Sequence, residues 1–389
     1  MPSLTTPPGR RSAALGAVVA AALTAPTLAV TAAPPGSGAS AAPAPVRAEP
    51  PVQRLDPAGA GLRAADVPLP ADRRTVETAT PFAMVGVTWT DDGADRAVRV
   101  RTRSEDGWSS WRGLEQIGDG PDRRTRERSA GVAATDLQWV GTADAVRVDV
   151  AGARPADLTL VLIAPDGTQV RSPARPQPRL LARDTRNPWS PKPAMRGRAQ
   201  WGADPALRSG AARYNSTIQQ VHVHHTVNSN TYARDDVPGL LRGIYRYHTQ
   251  NLGWSDIGYN FLVDRFGRTW VGRAGGPRKP VLGAHTLGFN STSTGVAVIG
   301  NFEDARPRRN VVSALVRLSA WKLDRYDRKP RGRVSVTSSG SDRFPAGERP
   351  RLPTIDGHRD TNQTACPGER LYAELPTIRR RAAARIARW

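Results

Sequence analysis

The pattern of apolar and polar positions divides the chain into regions of different period. Between about Thr75 and Ala164, short runs alternate apolar with polar residues: Met84 to Trp89, Ala97 to Arg101, Ala145 to Val150 and Leu158 to Ile163. Period-two alternation rich in β-branched residues, punctuated by Asp92-Gly93, Asp106-Gly107 and Asp166-Gly167, predicts an antiparallel, sandwich-like all-β domain. From about Arg196 the pattern changes. Strand-like runs at Gln219–Thr226, Asn260–Asp264, Arg268–Gly272 and Gly295–Gly300 alternate with helical segments. One helix opens with Asp236 as candidate N-cap and Pro238 in its first turn, placing Leu241, Ile244, Tyr245 and His248 on one face. Asn310 caps a second helix with Val311, Leu315, Leu318 and Leu323, and a basic helix runs from Leu371 to Trp389. Strands and helices mixed in one unit predict an α/β domain.

The remaining stretches have neither period. Arg10 and Arg11 precede an apolar run from Ala13 to Val30 and the small-residue sequence Val30-Thr31-Ala32-Ala33, the layout of a secretory signal. The run is rich in Ala, broken by Pro26 and lacks a basic stop-transfer flank, so cleavage is expected rather than a retained membrane anchor. The arginine pair leaves Sec and twin-arginine export both open. The expected organisation is a signal peptide at 1–32, a Pro/Ala-rich linker at 33–70, the β domain at 71–170, a second linker at 171–193 and the α/β domain at 194–389. The 34 prolines among 389 residues concentrate in those linkers and agree with semi-extended tethers.

A formal charge of +21 favours anionic partners, among them acidic cell-wall polymers, without choosing one. The same arginine excess would follow from a high-GC genome. One cysteine excludes an internal disulfide framework. Within the β domain, Trp108 and Trp111 follow a turn. They offer a carbohydrate platform or, as the preferred reading, packing at the edge of the core.

All six histidines and the cysteine lie in the last domain, in two segments above all: His222-Val223-His224-His225 and His358 to Cys366. On a strand His224 and His225 point to opposite faces, and His222 shares a face with His224. Two imidazoles, one thiolate and an open fourth position make a catalytic zinc site, which soft sulfur favours over magnesium or calcium. A Cys366–His358 nucleophile pair is the rival, although it leaves the first histidine segment unexplained. No H-E-x-x-H helix, G-x-S-x-G elbow or phosphate loop is present in the sequence.

The last domain resembles the zinc-dependent N-acetylmuramoyl-L-alanine amidases that share a fold with peptidoglycan recognition proteins and the bacteriophage lysozyme-amidase. The resemblance spans about Arg198 to Trp389 and rests on six motifs in order. These are Arg198 to Ala203, His224-His225-Thr226, Trp254 to Phe261, Gly283-Ala284-His285-Thr286, Gly295 to Phe302, and His358 to Gly368. It implies a central mixed sheet flanked by helices, with Zn2+ held by His224, His358 and Cys366. It implies Tyr259 beside the zinc as oxyanion donor, His285 lining the substrate groove, and Thr364 at a position where relatives carry Lys or Thr. The remaining histidines, His222, His225 and His248, are read as packed structural residues.

The expected activity is cleavage, by a zinc-activated water, of the amide joining N-acetylmuramic acid to L-alanine in the peptidoglycan stem. The alternative is a recognition protein that binds peptidoglycan without cutting it, although such relatives typically lose the cysteine that this chain keeps at 366. The protein is expected to be a secreted, wall-associated monomer with no nucleic-acid partner and no transmembrane anchor in mature form. Gly272-Arg273 is followed by Ala274-Gly275-Gly276 rather than the Gly-Trp that discriminating relatives often carry, so no preference between diaminopimelate and lysine stems transfers.

Overall fold

The computed structural model describes residues 52–55, 63–122, 125, 127, 131–164 and 189–389. The expected signal peptide, most of both linkers and the Asp166-Gly167 turn lie outside them. The region from Glu49 to Trp389 forms one compact unit.

Among the described residues, nine strands build the β domain: β1 Val52–Leu55, β2 Arg63–Pro68, β3 Thr75–Thr90, β4 Val98–Ser104, β5 Gly107–Trp108, β6 Arg112–Leu114, β7 Val132–Ala134, β8 Gln138–Val150 and β9 Thr159–Ala164. Except for the parallel β1–β3 pair, every ladder is antiparallel, as the alternation predicts. β1 and β2 fall inside the segment read as linker up to residue 70. They are held by backbone pairing at sheet edges, to β3 and β9, which side-chain patterning reports poorly.

The long strand β3 serves two layers. Val85, Val87 and Trp89 join Val98, Val100 and Leu160 in the domain's own core, whereas Met84, one residue out of phase, belongs to a second cluster with residues of the α/β domain. On β4, Val98 and Val100 point inward, so Arg99, Arg101 and Arg103 face outward. Trp108 pairs directly with Arg103 and shares that outer face. The preferred reading of the tryptophan pair as edge-of-core packing is therefore corrected: Trp111 is 39% exposed, Trp108 is half-buried, and both lie under arginine guanidinium groups.

The α/β domain is built on a six-stranded mixed sheet in the order β10 (Met195–Arg196), β13 (Thr269–Val271), β12 (Phe261–Val263), β14 (Ser293–Val298), β11 (Gln220–His225), β17 (Ile355–Gly357). Only β12 and β13 run antiparallel, as a hairpin around Gly267 at φ +73°. A small hairpin, β15 (Arg333–Ser335) and β16 (Arg351–Pro353), stands apart. Helix α2 (Arg309–Asp324) and helix α4 (Leu375–Ile386), preceded by the short α3 (Glu369–Tyr372), cover one face over Val221, Val223, Phe261, Val296 and Val298. The basic terminal segment is thus two helices, with a break at Ala373 and Glu374.

Helix α1 (Val237–Arg246) and the β domain share the other face with Leu262 and Ala297. Asp236 precedes α1, but its carboxylate accepts from Ala233 N–H behind the helix (2.6 Å) and not from the first turn. α1 runs on into a π-helical turn, Tyr247–Asn251. Gly243 of α1 is where backbone meets the β domain, since a Cβ there would fall 2.2 Å from Met84 Sδ.

Candidate metal centre

β11 alternates Val221, His222, Val223, His224, His225, so His222 and His224 leave the sheet on the face shared with the β domain while Val221 and Val223 enter the core under α2. β17 runs parallel to β11 and ends at Gly357, which delivers His358 beside His224; their ring centroids lie 4.7 Å apart. The loop after His358 turns back through Thr364, whose hydroxyl accepts Cys366 N–H at 3.1 Å, and places Cys366 Sγ 3.8 Å from His224 Nδ1. Among the described residues, His224, His358 and Cys366 form a group whose ligand atoms lie within 4.8 Å of one another, and all three are buried.

That group fits zinc. With Zn–N near 2.05 Å and Zn–S near 2.3 Å, tetrahedral ligands stand about 3.6 Å apart, against the 3.8 Å seen between Nδ1 and Sγ. Nε2 of His358 is buried with no hydrogen-bond partner. Ligation through Nδ1 leaves the proton of His224 on Nε2, where Nδ1 of His285 receives it at 3.2 Å. Burial, together with the neighbouring His358 and His285, holds His224 well below its ordinary pKa, and burial brings His358 down to about 3. Both rings are therefore neutral, the ligating form, at physiological pH. The Cys366 thiol is pushed up by burial, opposed by His225 N–H donating to the sulfur at 3.4 Å and reinforced by the charges of Asp119 and Asp136. A dication would convert it to the thiolate.

The other expected residues surround this group. Tyr259 stands with its ring 5.6 Å from that of His224, and its hydroxyl makes no hydrogen bond to the described residues. Burial, then Asp119 and Asp136, raises its pKa, so the phenol keeps its proton. His285 lies between two glycines: a Cβ at Gly283 or Gly295 would sit 2.3–2.4 Å from its ring, so both must be bare for the imidazole to reach His224. His222 is tied through Nδ1 to Asp356, which Gln220 also contacts at 3.0 Å. His225 faces the α2 side and accepts Phe302 N–H at 3.3 Å. His248 stacks 4.4 Å from Trp254 and accepts Gly258 N–H at 3.0 Å.

One part of this surround carries no sequence signal. Residues 115–122 of the β domain pack along the site. Asn290 is the link: its Oδ1 accepts His285 N–H (2.8 Å) and its amide donates to Gly120 O (2.8 Å) and Asp122 Oδ1 (2.9 Å). Asp122 also receives Gly288 N–H at 2.8 Å. Further along, Glu127 pairs with buried Arg273 and, at 2.9 Å, with Arg213. Asp119, which burial raises to about 7, lines a cavity of about 110 Å3 with Gly120, Leu252, Trp254 and Leu287.

The N-acetylmuramoyl-L-alanine amidase family matches residues 214–369. Peptidoglycan-recognition protein SC1a of Drosophila melanogaster is 30% identical over 179 residues, 46% of this chain and 82% of that protein. The chain belongs to the peptidoglycan-recognition protein and amidase family. Human N-acetylmuramoyl-L-alanine amidase, another relative, is 30% identical over 187 residues, 48% of this chain and 28% of its own length. Among solved structures, Drosophila PGRP-LB aligns at a TM-score of 0.38 with 25% identity, covering 47% of this chain and 93% of that one. Residues 35–179 match a second family, described as Rv3811 N-terminal galactose-binding domain-like, so this amidase-family chain carries an all-β domain ahead of its α/β domain. No helix among the described residues is long and apolar enough to cross a membrane.

Proposed function

We propose that the protein is an exported, zinc-dependent N-acetylmuramoyl-L-alanine amidase that hydrolyses the bond between N-acetylmuramic acid and the L-alanine of the stem peptide. The observation that carries this reading is the buried His224, His358, Cys366 group with three protein ligands and Cys366 retained. Zinc bound there would supply a Lewis acid and an activated water at neutral pH.

The chain's own residues supply the rest. Tyr259, protonated and without an internal partner, donates to the oxygen of the scissile carbonyl as charge develops on it, a contact of the kind worth about 2.7–4 kcal/mol. His285, fully buried behind His224, fixes the tautomer and rotation of that ring through the 3.2 Å contact. Thr364 orients Cys366 by accepting its N–H at 3.1 Å, which leaves its own hydroxyl free to donate a hydrogen bond to the departing amine nitrogen, while the proton that nitrogen gains comes from the attacking water. Export is supported by the signal-like segment ending near Ala33, and a wall location by the +21 charge and the peptidoglycan substrate.

The test is digestion of purified peptidoglycan by wild type and Cys366→Ser, following new N-terminal L-alanine amines and zinc content. Wild type is expected to hold one zinc and release alanine amines, and Cys366→Ser to lose both. Zinc-loaded wild type that retains the wall without releasing amines would establish the recognition reading instead.

A further inference from the structure

The outer face of β4, β5 and β8 carries a charged aromatic surface that the proposed hydrolysis does not use. Arg101 of β4 and Arg147 of β8 are directly opposite each other in the ladder, an arrangement of like charges that destabilises a sheet. Trp108 lies over both guanidinium groups, at 5.1 and 4.7 Å, and Trp111 lies 5.1 Å from Arg101 and 5.0 Å from Arg99. The flanking arginines are held by carboxylates: Arg99 by Asp149 (2.7 Å), and Arg103 by Asp144 (2.9 Å) and Glu77 (3.0 Å). Arg101 has no carboxylate partner among the described residues, and its Nε is buried without a hydrogen bond. The two indoles within cation–π distance confine the guanidinium, which lowers the entropy lost when the fork grips an oxyanion. Trp111, 39% exposed, offers the flat apolar surface that a sugar ring covers.

The geometry points to a binding site on this face for a glycan strand stripped of its stem peptides, with Arg101 taking a lactyl carboxylate and Trp111 stacking on a sugar ring. The inference rests on the proposed function for its ligand, because amide hydrolysis converts each neutral lactyl amide into a carboxylate on the muramic acid it leaves behind. Product glycan thus combines rings and regularly placed anions on one polymer. Intact neutral chitin has the rings alone, and an acidic polypeptide has the charge alone. The β domain would hold the chain on strands already cut while the metal centre, on the other side of that domain's sheet, meets the remaining stems.

The test is equilibrium binding of the purified full chain to three immobilised probes: peptide-free glycan strands prepared independently of this protein, chitin oligomers, and polyaspartate. Wild type is expected to bind the glycan strands roughly tenfold or more tightly than either other probe, and Arg101→Ala and Trp111→Ala each to weaken that binding roughly tenfold. Arg101→Gln and Trp111→Tyr, gentler changes, should give intermediate losses at an unchanged unfolding midpoint. Both alanine variants should release the stem peptide, with its new N-terminal L-alanine, from a soluble muropeptide at the wild-type rate. Equal binding to polyaspartate, equal binding to chitin, or variants that bind as wild type would overturn the site. The prepared strands separate this outcome from failure of the hydrolase reading, which shows instead as absent release of stem peptide by wild type.

Discussion

Tyr247→Phe probes whether the two domains are one folded body. The phenol of Tyr247, in the π-helical turn, is fully buried against the β domain and donates to Thr135 O at 2.8 Å, with Val87 O more distant at 3.3 Å. Val87 O already accepts Thr135 N–H at 2.9 Å, whereas the Thr135 carbonyl is paired with the tyrosine hydroxyl. Room for the ring is made by Gly86, where a Cβ would stand 3.0 Å from the phenol. Phenylalanine preserves the apolar area and removes one donor, so the change isolates a buried carbonyl left unpaired, at about 1–3 kcal/mol. Urea unfolding followed by tryptophan fluorescence should show that loss as a lower midpoint with an unchanged slope. A loss below about 0.5 kcal/mol would mean that water reaches the carbonyl and that the domain contact is not the dry interface described. A shift confined to one of two separate transitions would refute the shared core.

Other consequences follow from the same contacts. Glu127→Ala strands the buried guanidinium of Arg273, whose pKa burial already lowers to about 9, and should cost about 3–5 kcal/mol in unfolding free energy; adding Arg273→Met should recover part of it. Burial brings His248 down to about 3, so between pH 6.5 and 3 the unfolded chain binds a proton that the folded chain does not. Stability from this residue is thus complete above pH 6.5 and lost as pH falls below it, by at most about 1.4 kcal/mol per unit. His248 ring resonances should stay those of neutral imidazole at pH 5, and a titration midpoint near 6.5 would contradict its burial. Asp119→Asn removes a charge that helps hold the Cys366 thiol protonated, so metal-free variant should be alkylated faster than metal-free wild type at pH 8; an equal rate would remove Asp119 from the site's surroundings.

Much of the metal centre was legible because its parts are local. The alternation Val221, His222, Val223, His224 sends valines one way and histidines the other, and the turn from His358 to Cys366 is a continuous motif. The separation of 134 residues between His224 and His358 is closed by parallel pairing of β11 with β17, which no local pattern reports; family resemblance supplied it. Asn290 and Asp119 were not legible. Their roles arise from docking one domain on another, and Asp119-Gly120-Pro121-Asp122 reads in isolation as an ordinary turn. Trp108 and Trp111 were misplaced for a related reason: their surroundings are set by cross-strand arginines on β4 and β8, distant in sequence and adjacent in the ladder.

The central claim is that this chain hydrolyses the muramoyl–alanine amide, and oxygen labelling tests it most directly. A soluble N-acetylmuramoyl peptide is incubated with the zinc-loaded protein in 18O-enriched water and the products are weighed by mass spectrometry. The account predicts a free peptide with an unlabelled N-terminal L-alanine and a muramic acid whose lactyl carboxylate carries one heavy oxygen, neither of which forms with Cys366→Ser. Intact, unlabelled substrate recovered from a protein that has bound both zinc and muropeptide would contradict it.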